Sequence, residues 1–254
     1  MWIGLAFGTL STQTSSNQQG FRVVENKELI SCSAIMSDLD SMDLAGMRRE
    51  YCEGALRRND LDKDPVEQFQ EWLHAATESG EPDPTAMTLS TLNGKGGISA
   101  RVVLLKGVDH SGFRFFTNMQ SNKGKQMAKN PNVSLHFFWP SLARQVSIEG
   151  VVEKLPRNVV NQYFAERPRD SQLSAWASAQ SEVVDGCETL ENAYLRCVER
   201  FVEVEELPVP PDWGGYSVSP IHYEFWQGRP GRLHDRFVYK SDRLGGWEIS
   251  RLSP

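Results

Sequence analysis

The segment Arg232-Leu233-His234-Asp235-Arg236-Phe237 places a cationic or protonatable side chain at every second position. In an extended strand Arg232, His234 and Arg236 share one face, while Leu233, Asp235, Phe237 and Tyr239 share the other. Like charges placed this way repel unless an anion or carboxylates sit among them. That is chemistry suited to a small anionic ligand. The same pattern fits a solvated outer face of a sheet, and Asp235 also reads as a plain structural partner for a neighbouring arginine.

Two further segments carry a similar signal. Arg101-Val102-Val103-Leu104-Leu105-Lys106 is an apolar run with a cation at each end. Strict alternation sends the two cations to opposite faces, so binding by both needs a bulge or two distinct anions. Snorkelling at the edges of a core strand explains them without a ligand. Between Phe116-Thr117 and Lys123 a strand gives way to a short helix. Hydroxyls, backbone N–H groups and the lysine gather there, an arrangement that holds phosphate well, although most such junctions bind nothing. Gln145 and Glu149 interrupt an otherwise apolar strand, and Gln180-Ser181 follow a short helix. Tyr223-Glu224-Phe225-Trp226 supplies rings that either stack on a ligand or pack in the core. The sequence has no H-E-x-x-H, G-x-S-x-G or G-x-x-x-x-G-K-[ST] segment, and its five histidines show no metal-ligand spacing. Metal-dependent and serine-hydrolase chemistry are disfavoured.

The elements that must position these residues follow from periodicity. Asp64 as N-cap, Pro65 at the first helical position and Glu67 in the capping-box place open a helix. Val66, Phe69, Leu73 and Ala76 then recur at helical spacing before Ser79-Gly80. Short β-rich runs follow over 86–92, 98–106, 112–117, 133–139 and 144–152. Asn93-Gly94-Lys95-Gly96-Gly97 and Asp109-His110-Ser111-Gly112 have tight-turn chemistry. Strands in such quick succession leave no room for parallel crossovers, so an antiparallel sheet closing toward a barrel is expected. Helical patterns return over 157–166, 171–178 and 187–204. Strand patterns follow over 216–219, 222–227, 232–240 and 247–252. The expected fold is α+β, with a single domain over 41–254.

The 254 residues hold 27 Lys+Arg against 33 Asp+Glu, a formal charge of -6. Nucleic-acid-binding surfaces are usually basic, so that class recedes; an acidic exterior around a local cationic pocket remains. Cys32, Cys52, Cys187 and Cys197 form no C-x-x-C and no zinc-finger spacing, which fits reduced thiols. Asn132-Val133-Ser134 matches a glycosylation acceptor but runs into a core strand, and reads as chance. No run approaches the roughly 18 apolar residues that span a membrane. The apolar start, 1–10, has no basic flank. Residues 1–40 read as a disordered leader, with organelle targeting or translation from Met36 or Met42 as alternatives. A cytoplasmic location is expected.

Taken in order, several segments resemble the pyridoxine/pyridoxamine 5′-phosphate oxidase family. They are Met47-Arg48-Arg49-Glu50-Tyr51, Arg101 to Lys106, Phe116-Thr117-Asn118, Arg144-Gln145-Val146, Tyr163 to Gln172, Trp213-Gly214-Gly215, Glu224-Phe225-Trp226-Gln227-Gly228 and Arg232 to Arg236. The likeness covers 47–254, and its last two segments are the most specific. It implies the FMN-binding split-barrel fold, an antiparallel split β-barrel with flanking helices, and a homodimer with FMN in the subunit interface. The implied reaction oxidises pyridoxine 5′-phosphate and pyridoxamine 5′-phosphate at C4′ to pyridoxal 5′-phosphate. O2 is reduced to H2O2, and the amine substrate also releases ammonia.

The same resemblance distributes roles. Arg101, Val102, Val103, Leu104, Phe116, Thr117, Lys123, Gln145, Gln180, Ser181, Trp226 and Arg236 match the family's FMN-contacting positions. Lys106, Tyr163, Arg167 and Ser171 match its substrate-phosphate cluster. Arg232 and His234 match the residues over the pyridine ring, and catalysis is expected of them. Arg48 and Tyr51 match a segment that closes over the site. Two phosphorylated ligands would account for Arg101 and Lys106 facing opposite ways.

One departure matters. The family usually has Ser-Arg-Lys where this chain has Ser121-Asn122-Lys123. Losing a bidentate phosphate donor predicts weaker FMN retention. Asn122→Arg is then expected to tighten FMN binding in a fluorescence titration, and an unchanged affinity sinks the idea. Two rival readings stand beside the oxidase. One is another split-barrel flavoprotein with a different substrate, which need not keep Tyr163, Arg167, Ser171 and Arg232-Leu233-His234. The other is a non-catalytic vitamer- or flavin-binding carrier.

Overall fold

Helix α1 (Pro65–Glu78) starts where Asp64 caps it, the carboxylate accepting from the Val66 N–H at 2.8 Å. The expected capping box does not form. The Asp64 N–H donates to the Asp62 carboxylate at 2.8 Å, so Glu67 has no role there. Trp72 joins Val66, Phe69 and Ala76 on the buried stripe, and Leu73 is only partly buried. Phe69 meets Phe113 and Phe137 at 4.8 and 4.9 Å between ring centroids, and Trp72 meets Phe225 at 5.2 Å. Burying rings of this size contributes roughly 1.5–3 kcal/mol each, which fixes α1 against the core of the sheet.

The computed structural model describes residues 44, 46, 49–51, 54–242 and 245–254. The expected leader and Arg48 lie outside the described residues. The fold belongs to the unit Arg49–Pro254. Its strands are β1 (Ala86–Leu92), β2 (Ile98–Leu104), β3 (Gly107–Asp109), β4 (Gly112–Asn118), β5 (Asn132–Trp139), β6 (Arg144–Lys154), β7 (Trp213–Gln227), β8 (Asp235–Ser241) and β9 (Trp247–Leu252). The helices that follow α1 are α2 (Asn122–Lys129), α3 (Arg157–Glu166), α4 (Arg169–Ala177) and α5 (Cys187–Arg200). None of the described helices is long and apolar enough to cross a membrane.

All pairings in the nine-stranded sheet are antiparallel, as the short turns required. Strand β7 is its spine. Strand β6 runs along one edge of β7; on the other edge β4 pairs with Trp213–Val218 and β8 with His222–Gln227. The sheet therefore forks at β7, which gives the expected split barrel its two arms. The two strands expected at 216–219 and 222–227 are one. Pro220 lacks an N–H for the ladder, and a bulge absorbs it: Glu149 pairs with His222 but Gly150 with Pro220, leaving Ile221 as the extra residue.

Other boundaries also move. The strand expected at 98–106 stops at Leu104, and the Lys106 N–H donates instead to the Arg114 carbonyl. Helix α4 starts at Arg169 rather than Ser171, and α5 ends at Arg200. The largest correction concerns 232–240. Pro230–Arg232 form a single 3-10 turn in which Gly231 and Arg232 have φ of +63° and +61°, and β8 begins only at Asp235. Pro-Gly chemistry favours the turn. Arg232 and Leu233 thus leave the alternation, and Leu233 is 69% exposed rather than in the core.

The inward face of the sheet holds Leu89, Phe113, Phe115, Leu135, Phe137, Val146, Ile148, Phe225 and Phe237. A second cluster around Trp213 unites Val160 and Phe164 of α3, Leu173 of α4, and Phe201. The outward face of the sheet is covered by α3 at Phe116 of β4 and is open along β2. On it Ile98, Val102 and Leu104 of β2 are exposed at 76%, 66% and 42%, as are Phe138 and Ile221.

Candidate active site

Ser121 caps α2 by accepting the Gly124 N–H. The first turn of α2 then brings Lys123 Nζ to 3.1 Å from Gln180 Oε1, 3.3 Å from Thr117 Oγ1 and 3.4 Å from Ser121 Oγ. Thr117 also donates to Gln180 Oε1 at 3.0 Å, and Ser181 Oγ accepts the Asn122 N–H at 3.2 Å. Ser181 holds that position at φ +77°, a left-handed conformation costly for a non-glycine residue. Nearby, Arg101 Nη1 donates to Leu89 O at 3.0 Å and Thr91 Oγ1 at 2.7 Å, and Nη2 donates to Gln126 Oε1 at 3.0 Å. Among the described residues no carboxylate forms an ion pair with Arg101 or Lys123. Burial, and then the charge of Arg101, push the Lys123 ammonium down to about 8. Burial also lowers Arg101. Two desolvated cations held only by neutral acceptors form a strong anion cradle.

A second group lies where α3 meets β4 and β7. Tyr163 stacks on Phe116 at 3.9 Å with the rings 14° apart, and Phe116 stacks on Trp213 at 5.4 Å. Gly215 permits this close approach, since a Cβ there would sit 2.7 Å from the Phe116 ring. Arg167, at the C-terminus of α3, lies 5.0 Å from the Trp213 ring centroid. Its Nη1 is buried without a hydrogen-bond partner. Burial lowers Arg167 and raises the Tyr163 hydroxyl, whose pKa the Arg167 charge pulls partly back down. Leaving a charged donor unsatisfied costs at least about 1–3 kcal/mol, which an anionic ligand would recover. Ser171 is half-buried in the first turn of α4, and Lys106 is exposed beyond β2. No hydrogen bond or ion pair among the described residues joins either of them to Tyr163 or Arg167.

The third group surrounds His234. Its Nδ1 accepts the Arg229 N–H at 3.1 Å, so the neutral ring carries its proton on Nε2. Trp226 lies 4.6 Å and Tyr51 5.6 Å from the imidazole between centroids, and Tyr51 meets Trp226 at 5.7 Å. Gly228 leaves room for Tyr51, whose ring a Cβ would meet at 2.8 Å. Asp235 is fully buried; it accepts the Leu56 N–H at 3.0 Å and pairs with Arg229 and Arg251. That is the structural partner role, extended to two arginines. Arg236 is gripped by Glu224 at 2.7 and 3.1 Å, which raises its pKa, and donates to Ser253 O at 3.0 Å. The supposed row of three unpaired cations therefore dissolves. Arg236 has a carboxylate, His234 accepts a backbone N–H, and Arg232 sits exposed in the turn with no hydrogen bond or ion pair among the described residues.

Of the remaining sequence-selected residues, Val102, Leu104, Gln145, Trp226 and Arg236 share the outward face of the sheet, where Gln145 pairs across to Trp226 and Trp226 to Arg236. Val103 points inward against the core. Arg101, Thr117, Lys123, Gln180 and Ser181 gather at α2, and among the described residues no hydrogen bond or ring contact links them to the outward-face group. Sequence reasoning missed Gln126 and Thr91 beside Arg101, and Glu224 beside Arg236. Gln126 had one usable signal, its place one helical turn after Lys123.

Comparison with known proteins followed the same segments. Residues 67–194 match the family model described as pyridoxamine 5′-phosphate oxidase, and 213–254 match the pyridoxine 5′-phosphate oxidase C-terminal dimerisation region. The chain is 48% identical to the pyridoxine/pyridoxamine 5′-phosphate oxidase of Rhodopirellula baltica, over 86% of this chain and 100% of that protein. It is also 48% identical to that of Vibrio campbellii, over 84% of this chain and 100% of the other. The crystal structure of PhzG from Burkholderia lata, in complex with tetrahydrophenazine-1-carboxylic acid, has a TM-score of 0.75 at 27% identity and covers 80% of this chain and 100% of PhzG. A pyridoxamine 5′-phosphate oxidase-related, FMN binding protein from Nostoc punctiforme shares the fold, with a TM-score of 0.61 at 13% identity over 76% of this chain and 100% of its own.

Proposed function

Because the chain belongs to the pyridoxine/pyridoxamine 5′-phosphate oxidase family, we propose that it oxidises pyridoxine 5′-phosphate and pyridoxamine 5′-phosphate at C4′ to pyridoxal 5′-phosphate. Its cofactor is FMN and its electron acceptor O2, with H2O2 and, from the amine, ammonia as by-products. The observation that carries this reading is the presence of two separate cationic sites, one at Arg101 and Lys123 and one at Arg167, whose cations form no ion pair among the described residues. A reaction between a phosphorylated cofactor and a phosphorylated substrate needs two such sites.

The residues present suit FMN. Lys123, Arg101, Thr117, Gln180 and Ser181 form the cradle for its phosphate. Val102, Leu104, Gln145 and Trp226 offer an apolar and amide surface for its ring, with Arg236 steered by Glu224. Bound FMN supplies the two-electron chemistry that side chains lack. The chain's own part is positioning. Arg167 and Tyr163, with Lys106 and Ser171, hold the substrate phosphate; Arg232 and His234 orient the pyridine ring; Tyr51 packs over His234 and Trp226. Residues 41–254 act in this reading as a single oxidase domain working in the cytoplasm. Purified protein incubated aerobically with pyridoxine 5′-phosphate should show a flavin spectrum and form aldehyde and H2O2 together. A flavin-bearing protein that makes no aldehyde overturns the substrate assignment.

The two groups of cofactor residues on one chain, joined by no side-chain hydrogen bond or ring contact among the described residues, also support a homodimer in which each site draws on both subunits. The exposed apolar side chains of β2 are the surface such a partner would cover. Val102→Glu is expected to give a monomer in analytical ultracentrifugation and to lose flavin together with the dimer. A dimeric, yellow variant contradicts that arrangement.

Lys123 makes FMN binding pH-dependent. The ligand-free ammonium loses its proton near pH 8, and only the charged form attracts phosphate. FMN affinity should therefore be steady from about pH 7, where its phosphate is mostly doubly ionised, up to that pH, and fall by up to about tenfold per unit above it. In the ligand-free protein the sign reverses: the folded pKa lies below the unfolded value, so stability rises between about 8 and roughly 10.5. Lys123→Gln should bind FMN weakly and show no such decline. A wild-type affinity that is flat from pH 7 to 9.5 in fluorescence titration argues against a phosphate role for Lys123.

A further inference from the structure

Gln126 follows Lys123 by one turn of α2 and makes three side-chain hydrogen bonds. Its Oε1 accepts from Arg101 Nη2 at 3.0 Å and from Thr91 Oγ1 at 2.6 Å, and its Nε2 donates to Ser99 Oγ at 3.2 Å. Both acceptor sites of the oxygen are filled, and the guanidinium, which can only donate, requires the amide oxygen to face it. Arg101 is held on its other side by Leu89 O and Thr91 Oγ1. Among the described residues, every atom that grips this arginine is neutral.

The usual partner of a half-buried arginine is a carboxylate, which binds its fork geometry more strongly than an amide does. A carboxylate here would also cancel the charge. An amide at 126 fixes the guanidinium and leaves its charge intact, next to a lysine that feels it.

We propose that Gln126 is a positioning residue for the cofactor phosphate: it locks Arg101 through a neutral oxygen, so that Arg101 and Lys123 both keep their charge for the anion. The inference rests on the FMN reading above and goes beyond it, since Gln126 acts only through Arg101. The groups that face Lys123 are Arg101 of β2, Thr117 of β4, Ser121 at the cap of α2, and Gln180 beyond α4. None of them is acidic. A glutamate at 126 would bring negative charge into this set.

The test compares wild-type, Gln126→Glu and Gln126→Met apoproteins, each titrated with FMN and with riboflavin, which has the same ring system but no phosphate. Gln126→Glu should fold normally and weaken FMN by about tenfold or more, the range expected for losing a charge-assisted contact, while riboflavin binding stays as in wild type. The pH above which FMN binding declines should move upward in Gln126→Glu, because the new carboxylate offsets the charge that lowers Lys123. Gln126→Met keeps the charge of Arg101 but loosens it, so its loss should be smaller and its pH profile should not move upward. Wild-type FMN affinity in Gln126→Glu, or equal losses of FMN and riboflavin, overturns the inference alone. A wild-type apoprotein that binds no FMN overturns the FMN reading and the inference with it.

Discussion

Arg232→Ala is expected to keep its bound flavin and its melting temperature while losing turnover of pyridoxine 5′-phosphate by about 10²–10³-fold, the effect of removing one preorganised charged donor from a reacting centre. Three features support the size and selectivity of this loss. Arg232 is exposed and has no hydrogen bond or ion pair among the described residues, so its removal orphans nothing. Its backbone sits at φ +61° in the Pro230–Arg232 turn, and alanine suffers that conformation no more than arginine does. The turn is anchored elsewhere, by the Arg229 N–H on His234 and the Arg229 side chain on Asp235. Steady-state kinetics beside a flavin absorption spectrum decides the matter. Near-normal turnover means that Arg232 does not face the substrate.

Arg167→Met has the opposite profile. Here kcat/KM for the phosphorylated substrate should fall by about 10- to 100-fold through KM, the range of one or two hydrogen bonds to a charged group. Turnover of unphosphorylated pyridoxine should not change. Methionine fills the space over Trp213 and makes its own sulfur contact with the indole, and it removes a buried donor that has no partner. Thermal stability should therefore hold or rise. A KM unmoved by the substitution would place the substrate phosphate elsewhere.

Much of this was legible in the chain, and for physical reasons. Helix α1 announced itself through Asp64-Pro65. The strands from Ala86 to Lys154 were legible because Asn93-Gly94 and His110-Ser111-Gly112 leave the chain few ways to turn. The Arg232 turn was misjudged because Leu233, Phe237 and Tyr239 imitate strand alternation, while Pro230-Gly231 act just upstream of it. Partners across the sheet were out of reach. Glu224 meets Arg236 only because β7 pairs with β8, and nothing local in either segment sets that register. Nor could the sequence separate the two faces of β2. Val102 and Leu104 are as apolar as Val103 and Leu105, and only the pairing with β1 shows which pair is left outside. Such two-sided apolar strands are expected where a second layer comes from elsewhere.

The fork at β7 also bears on how the chain comes to be folded. Strands β1, β2, β5 and β6 find partners among themselves as they emerge, and β4 has only the short β3. The long edges of β4 and β6, carrying Phe113, Phe115, Val146 and Ile148, stay unpaired until Trp213–Gln227 has been synthesised. Pairings so distant along the chain are slow to form, and open apolar edges invite association in the meantime. A chain stopped before Trp213 is thus not a smaller stable barrel but an unfinished one with two adhesive edges. The strand that divides the sheet is also the one whose late arrival makes folding a single, end-loaded event.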